Sequence, residues 1–513
     1  DILPTREDAM KTKAILIAIM SILLVLTACG QLDAPAEEAS EDVGTGGAVV
    51  AESTPAPADD TADEETAEET DAEADTASAD DSAETDTETT DEVVVDTGSD
   101  EIQCPEGENI TLTFAAGQVG TEGDLAREGA AIYEEACPNV TITFESTSDS
   151  ATQRSDDFRR RLALGDDTID LMHIDVVDVG ILADNLLALN DFVTPAFYNS
   201  QFQSMVAAAT VDDSLYAFPW LIDTGHLYYR TDLLEKYGLE VPTTWDDLEA
   251  AAEIIQEGER ADGNPDFTGF VWQGNTGENL TTNALEWQVS HDGGRIMSEI
   301  CSQDFDNDGF VNAMERAAGW VGSISPVNVL EFREEESRAV WNEGNAAFMR
   351  NWFYAYGLSA DPEGSAVAGN FDITVLPQGP GGQSAATLGG QMIAVSGFST
   401  NPEAAVLFAA YLTSRQEQKR RALTTSLNPT YLSLYEDPDL LELYPPYPDL
   451  LDTFLTAATP RPSTELGLDY NQVSELYYST VYEILNGSTS ASGGARDFTR
   501  TLEDDYLGEC GDA

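Results

Sequence analysis

Positive charge is what this chain of 513 residues most lacks: 23 Lys and Arg stand against 95 Asp and Glu, a formal net charge of −72. Beyond residue 30 the only lysines are Lys236 and Lys419. Such a surface repels nucleic acid, because duplex binding depends on Lys and Arg neutralising phosphates. It repels anionic membrane surfaces for the same reason. Histidine is scarce as well. His173, His226 and His291 lie far apart, which removes the usual zinc spacings. Cysteine is limited to Cys29, Cys104, Cys137, Cys301 and Cys510, with no Cys-x-x-Cys pair. No nucleophile elbow, phosphate loop or internal repeat is evident. The acid excess and the preference for Arg over Lys suit a saline or acidic exterior, and equally suit plain solubility.

The N-terminal segment reads as an address. Met10 is the expected start, followed by Lys11 and Lys13 and an apolar run from Ala14 to Ala28. That run is too short to span a bilayer, which takes roughly twenty residues, and it has the length of a signal-peptide core. Leu26-Thr27-Ala28-Cys29 resembles a bacterial lipobox, which implies cleavage before Cys29 and a lipid on its sulfur. Residues 1–29 are therefore expected to be a signal peptide and lipobox. Residues 30–103 are expected to be a disordered acidic linker: 26 Asp and Glu fall between 31 and 103, with no Lys, Arg, His or aromatic residue. Such a composition cannot bury enough apolar surface to offset the entropy of ordering. A free tether of that length reaches roughly 45–50 Å. The membrane is then a partner through the lipid anchor only.

The four later cysteines suit an exported chain with disulfides. Three pairings are open. Cys104 precedes the expected strand Ile110–Phe114 and Cys137 precedes Val140–Phe144, so parallel pairing of these strands brings both sulfurs to one end. That favours Cys104–Cys137 and leaves Cys301–Cys510.

From residue 104 the pattern alternates strand and helix. Helices are expected at Asp124–Ala136 and Thr152–Leu164 and a buried strand at Ile169–Ile174. The alternation implies an α/β fold with a mostly parallel sheet. Ligands of such sheets sit beyond the carboxyl ends of the strands, which places the loops Gly117–Glu122 and His173–Asp178 at a common mouth.

An ordered set of motifs carries a resemblance. Tyr216-Ala217-Phe218-Pro219, Asp223-Thr224-Gly225, Leu227–Asp232, Glu235–Gly238, Val241–Trp245, Phe270–Gly274, Gly344–Trp352, Ser384–Gly390 and Pro460-Arg461-Pro462 together resemble family 1 extracellular solute-binding proteins, in their trehalose/maltose-binding branch. The resemblance implies a two-lobed periplasmic-binding-protein-like (type II) α/β fold with crossings near 226–230, 374–378 and 427–431. One lobe is then 104–225 plus 378–427 and the other 230–374 plus 431–510. It further implies a monomer without enzymatic activity that passes a neutral sugar to the permease subunits of an ABC transporter. A sugar-sensing subunit for a membrane receptor and a glycoside hydrolase are the alternatives.

Sugars present paired hydroxyls and apolar C–H faces, so a site for them needs carboxylate acceptors, planar Arg donors and an aromatic surface. Positions matching the family's motifs supply these: Glu122, Asp175 and Asp223 as acceptors, Arg461 and Arg154 as donors, Trp352 as platform, Gly390 for close backbone approach. Each has a plain structural alternative: Asp175 as a strand end, Glu122 and Asp223 as loop residues, Trp352 as core, Arg461 in a salt bridge, Arg154 as a surface helix residue. Two positions depart from the branch. Gln391 stands where an aromatic usually follows the Gly389-Gly390 pair, and Leu221 stands where a Tyr is usual, with Trp220 beside it as a candidate substitute.

A second motif concerns calcium. Asp304, Asp306, Asp308, Phe310, Asn312 and Glu315 fall at the ligand positions of an EF-hand loop, with Gly309 at its turn. The expectation is a half EF-hand holding a structural Ca²⁺, the alternative an acidic turn. No cofactor is expected for function.

Overall fold

The structure is a computed structural model that describes residues 101–297, 305 and 307–506. The signal peptide, Cys29, nearly all of the linker, Cys301, Asp304, Asp306 and Cys510 fall outside the described residues. Nine strands of four or more residues occur among those described. They are β1 (Ile110–Ala116), β2 (Val140–Ser146), β3 (Leu171–Asp175), β4 (Ala217–Asp223), β5 (His226–Arg230), β6 (Thr268–Val271), β7 (Ala346–Asn351), β8 (Phe371–Thr374) and β9 (Gly389–Val395). The helices used below are α1 (Glu122–Ala136), α2 (Ala151–Ala163), α3 (Trp245–Ala261), α4 (Glu278–Ser290), α5 (Asp308–Trp320), α6 (Glu334–Asn342), α7 (Pro402–Leu412) and α8 (Tyr470–Leu485).

The strands form two sheets, one for each α/β lobe. The first has the order β2-β1-β3-β9-β4, and the second β8-β5-β7-β6. In the first, β1 pairs in parallel with β2 and β3, whereas β9 runs antiparallel to both β3 and β4. Helices α1 and α7 cover it. Phe114, Tyr133 and Phe408 meet in that core, with ring centroids 6.2 Å (Phe114–Phe408) and 5.1 Å (Tyr133–Phe408) apart. The parallel pairing of Ile110 with Val140 brings the preceding cysteines together, and Cys104–Cys137 is a disulfide with Cα atoms 5.4 Å apart.

The second lobe is built round tryptophan. Trp272 lies 5.0 Å from Trp287, and Trp320 lies 5.5 Å from Trp287 and 5.4 Å from Trp245, centroid to centroid. Buried indoles need partners for their N–H groups. Trp245 donates to Ser290 and Trp272 to Ser325, each at 3.0 Å, and Trp320 donates to Glu249 at 2.6 Å. Four of the seven tryptophans thus go to this core.

The strand His226–Arg230 lies inside the second sheet, so the chain first passes between sheets at Asp223–His226 rather than through 226–230. A Cβ at Gly225 would come within 2.3 Å of the Glu286 carboxylate and 2.7 Å of the Arg350 guanidinium, so this crossing is narrow by sequence. The third passage is broad. Tyr435 and Phe454 each pack 5.4 Å from Phe202, while Tyr444 and Tyr447 pack 5.7 Å and 6.0 Å from Phe353. The segment from 432 to 456, expected in the second lobe, therefore touches residues assigned to both.

Of the expected calcium loop, Asp304 and Asp306 fall outside the described residues, and the part from Asp308 on is helical. Asn307 accepts a hydrogen bond from the Phe310 amide at 2.9 Å and caps α5, which begins at Asp308. An EF-hand loop would stay irregular through its ninth position; here Asp308, Phe310, Asn312 and Glu315 lie on the helix. Phe310 is buried 4.0 Å from the Phe305 ring. Gly309 serves packing, since a Cβ there would sit 2.4 Å from the His291 carbonyl oxygen. The Asn-Asp-Gly signal is that of a capped helix start.

Candidate functional site

The carboxyl ends of β1, β3 and β4, the amino end of the antiparallel β9 and the amino ends of α1, α2, α4 and α6 converge on one cavity, with about 860 Å³ of space not filled by atoms, its mouth included. Sheet register explains part of its wall. Asp175 on β3 stands opposite Gln391 on β9, and Gln391 opposite Leu221 on β4, so three side chains from one row face the cavity together. Gly390, one residue back, has φ +141°. A Cβ there would lie 2.5 Å from the Leu221 carbonyl oxygen, so this position needs glycine for conformation and space alike.

Eight of the nine sequence-derived site residues line this cavity: Glu122, Arg154, Asp175, Asp223, Trp352, Gly390, Gln391 and Arg461. Trp220 does not, and is corrected to a core residue. Its indole packs edge-on to His173 at 4.3 Å, with the Arg421 guanidinium over its face at 4.3 Å. The cause is a bulge: Gln391 pairs with Leu221 but Met392 with Pro219, so Trp220 is skipped and Leu221 takes the cavity position.

Glu122 is the first residue of α1, where the helix amino end favours an acid, and its carboxylate accepts the Val119 amide at 3.3 Å. Burial pushes its carboxyl up to about 7 against the pull of Arg154. Asp223 accepts the Phe353 amide at 3.0 Å on both oxygens and the Thr224 amide at 2.8 Å. Burial raises it to about 7 as well, even though these amides favour the charged form. Asp223 thus spends most of its accepting capacity on a bond between the two lobes.

Arg154, expected as a surface residue in its plain reading, is 1% exposed. It donates to the Ser148 carbonyl at 3.2 Å and to Gln391 at 3.4 Å. Arg461 donates to Asp175 at 2.9 Å and to Glu278 at 2.6 Å. Glu278 in turn accepts Tyr470 Oη at 2.8 Å and Ser474 Oγ. Among the described residues the Arg461 Nε atom is buried without a partner. Arg461 is therefore both a structural ion pair and a wall of the cavity.

Trp352 is half-buried, its ring seated 4.2 Å above the Arg350 guanidinium. Its indole N–H donates to Glu334 at 3.4 Å, whose carboxyl burial raises. The benzo edge lies where a Cβ at Gly389 would come within 2.6 Å, which accounts for the first glycine of the pair.

Sequence reasoning missed Glu278, Asn279, Thr282, Arg333, Glu334 and Tyr354, all on the wall. Tyr354 supplies a second ring, its hydroxyl donating to Glu335 at 2.7 Å. A signal for Glu278 existed: Gly277, with φ +132°, immediately precedes a helix that opens on an acid after a strand and a short polar loop. The cavity as a whole offers hydroxyl acceptors, planar donors and an aromatic face.

Residues 116–419 match the model of the bacterial extracellular solute-binding protein family. A probable ABC transporter-binding protein of Deinococcus radiodurans is 42% identical over 395 residues, spanning 77% of this chain and 92% of that one. Maltose-bound MalE3 of T. maritima is 31% identical with a TM-score of 0.70, over 77% of this chain and 99% of that one. The GacH receptor of Streptomyces glaucescens, solved unliganded and with acarbose, shares the fold at 24% identity and a TM-score of 0.67, over 78% and 100% of the two chains. With the fold, the placement of the cavity and these likenesses in agreement, the chain belongs to the family of bacterial extracellular solute-binding proteins.

Proposed function

We propose that the protein captures a neutral disaccharide or small oligosaccharide of the maltose or trehalose type and delivers it to the permease of an ABC importer. The observation that carries this reading is the meeting, in one cavity, of the Trp352 face with Glu122, Asp175 and the Arg154 and Arg461 forks. Burial holds Glu122 near the midpoint of its titration at neutral pH, so its carboxyl can both donate to and accept from a hydroxyl. The maltose held by the T. maritima relative supports the same ligand class.

The division of labour follows. One lobe is taken as 104–225 plus 378–427, the other as 230–374 plus 457–510, with 432–456 bridging them. Ligand contacts made to both lobes at once favour closure. Lipid on Cys29 and the acidic linker hold this monomeric unit outside the cytoplasm, within reach of its permease.

The test is a thermal-shift titration of the purified protein with maltose, trehalose and maltotriose, with calorimetry on any that respond. Binding to the folded state raises the midpoint in step with ln(1 + [L]/Kd). A saturable shift supports the reading. No shift with any of them at millimolar concentration overturns the sugar class, and release of glucose would make the protein a hydrolase.

A further inference from the structure

Arg350 does not line the cavity, yet everything around it bears on the platform that does. It is the penultimate residue of β7, two before Trp352, and is 1% exposed. Its Nε donates to Glu286 Oε2 at 2.9 Å, its second terminal nitrogen reaches Glu286 Oε1, and Nη1 donates to Gln273 Oε1 at 3.1 Å. The guanidinium plane is thereby fixed by partners on α4 and on the segment after β6, and the Trp352 ring rests on it at 4.2 Å. An arginine so held is a rigid plate, whereas a lysine would be a point charge on a flexible stem.

The same ion pair touches the first crossing and, in the first lobe, the segment that leads into β9. Glu286 Oε1 also accepts the Thr387 amide at 3.1 Å, two residues before the Gly389 that receives the Trp352 edge. The first crossing runs over the pair at Gly225, which has no room for a Cβ.

We propose that Arg350 is the positioning residue of the Trp352 platform: its guanidinium plate sets the indole face offered to ligand, and its pairing with Glu286 ties that face to the first crossing and to the segment entering β9. The proposal rests on the reading of the cavity as the ligand site, but the placement of the indole can be observed without any ligand.

Removing Arg350 alone strands a buried carboxylate, so the variant of choice is Arg350→Met with Glu286→Gln, where the amide oxygen of Gln can still accept from Thr387. Protein labelled with 5-fluorotryptophan gives one fluorine resonance per indole, and that of Trp352 is identified by its loss in Trp352→Phe. Without ligand, the double variant is expected to move the Trp352 resonance while those of Trp245 and Trp320 stay in place. With maltose as probe, affinity is expected to fall about tenfold, and the same change made on Trp352→Ala is expected to cost less than about twofold, the coupling of residues that act through one another.

A Trp352 resonance unmoved in the double variant overturns the proposal. So does a maltose loss that adds in full to that of Trp352→Ala, since that is the mark of a separate role. If the wild type ignores maltose, the sugar reading fails on its own, and the fluorine shift in Arg350→Lys, where the charge is kept, still reports on the placement of the indole. Arg350→Lys, which keeps the charge but not the plate, gives the same readout should the double variant not fold; a wild-type resonance there would also count against the idea.

Discussion

Raising the pH should loosen this protein, and Glu122 permits the amount to be worked out. Burial lifts its folded-state pKa to about 7 from the ordinary value of 4.5. A carboxyl raised on folding contributes stability that is fully present below about 4.5 and is lost as pH climbs through 7, because the unfolded chain gives up the proton first. Between pH 5 and pH 8 linkage gives a loss of about 2.5 kcal/mol from this one group. With an unfolding entropy of about 2 cal/mol/K per residue over roughly 400 residues, that is a fall of about 3 °C in midpoint. The assay is differential scanning calorimetry of the wild type and Glu122→Gln at both pH values in one high-salt buffer, which screens the general repulsion of a net charge of −72. The wild type should lose about 3 °C more than the variant. Equal pH dependence in the two proteins would refute the reasoning, and would mean that Glu122 stays charged in the fold.

Asp178 and Asp223, likewise buried and raised to about 7, should act in the same sense, so Asp223→Asn should flatten the curve further between pH 5 and 8 in the same scans. Gly390→Ala should destabilise by at least about 1–3 kcal/mol, because the added methyl meets the Leu221 carbonyl in a strained backbone conformation; an unchanged melting curve would contradict the placement of β9. Reduction of Cys104–Cys137, which spans a separation of 33 residues, should cost about 3–4 kcal/mol by loop entropy, measured as a lower denaturation midpoint with reductant. Cys29→Ser should abolish incorporation of labelled fatty acid in an expressing bacterium, and persistent labelling would remove the proposed anchor.

Much of the first lobe was legible because its signals are local. The strands Ile110–Ala116 and Val140–Ser146 alternate in the sequence, and their parallel pairing predicts the disulfide without further information. Positions matching the family's motifs pointed to Glu122, Asp175 and Asp223. What escaped depends on register or on competition between equal signals. In β4 every residue is buried, so no alternation tells which side chain faces the cavity, and only the bulge opposite Gln391 separates Leu221 from Trp220. At Asn307-Asp308-Gly309 the same residue types serve a calcium loop and a helix cap, and the packing of Phe305 and Phe310 decided for the helix. Arg461 was read as a donor to ligand, but its partners Asp175 and Glu278 stand more than a hundred residues away in sequence and could not be paired with it beforehand.

The late arrival of β9 has a consequence for how the protein comes to be folded. β3 and β4 flank it in the sheet, yet Asp175 must wait for Gln391, more than two hundred residues later in the chain. Until that strand is made and inserted, both neighbours present open hydrogen-bonding edges, the kind of surface that recruits the wrong partner. Pairing over such a sequence span is slow, because the loop must close before any contact rewards it. The first lobe therefore cannot be completed until the chain has been made as far as Val395. A chain built in this way carries two unfinished edges through most of its synthesis, and is exposed for that time to pairing with the wrong strand.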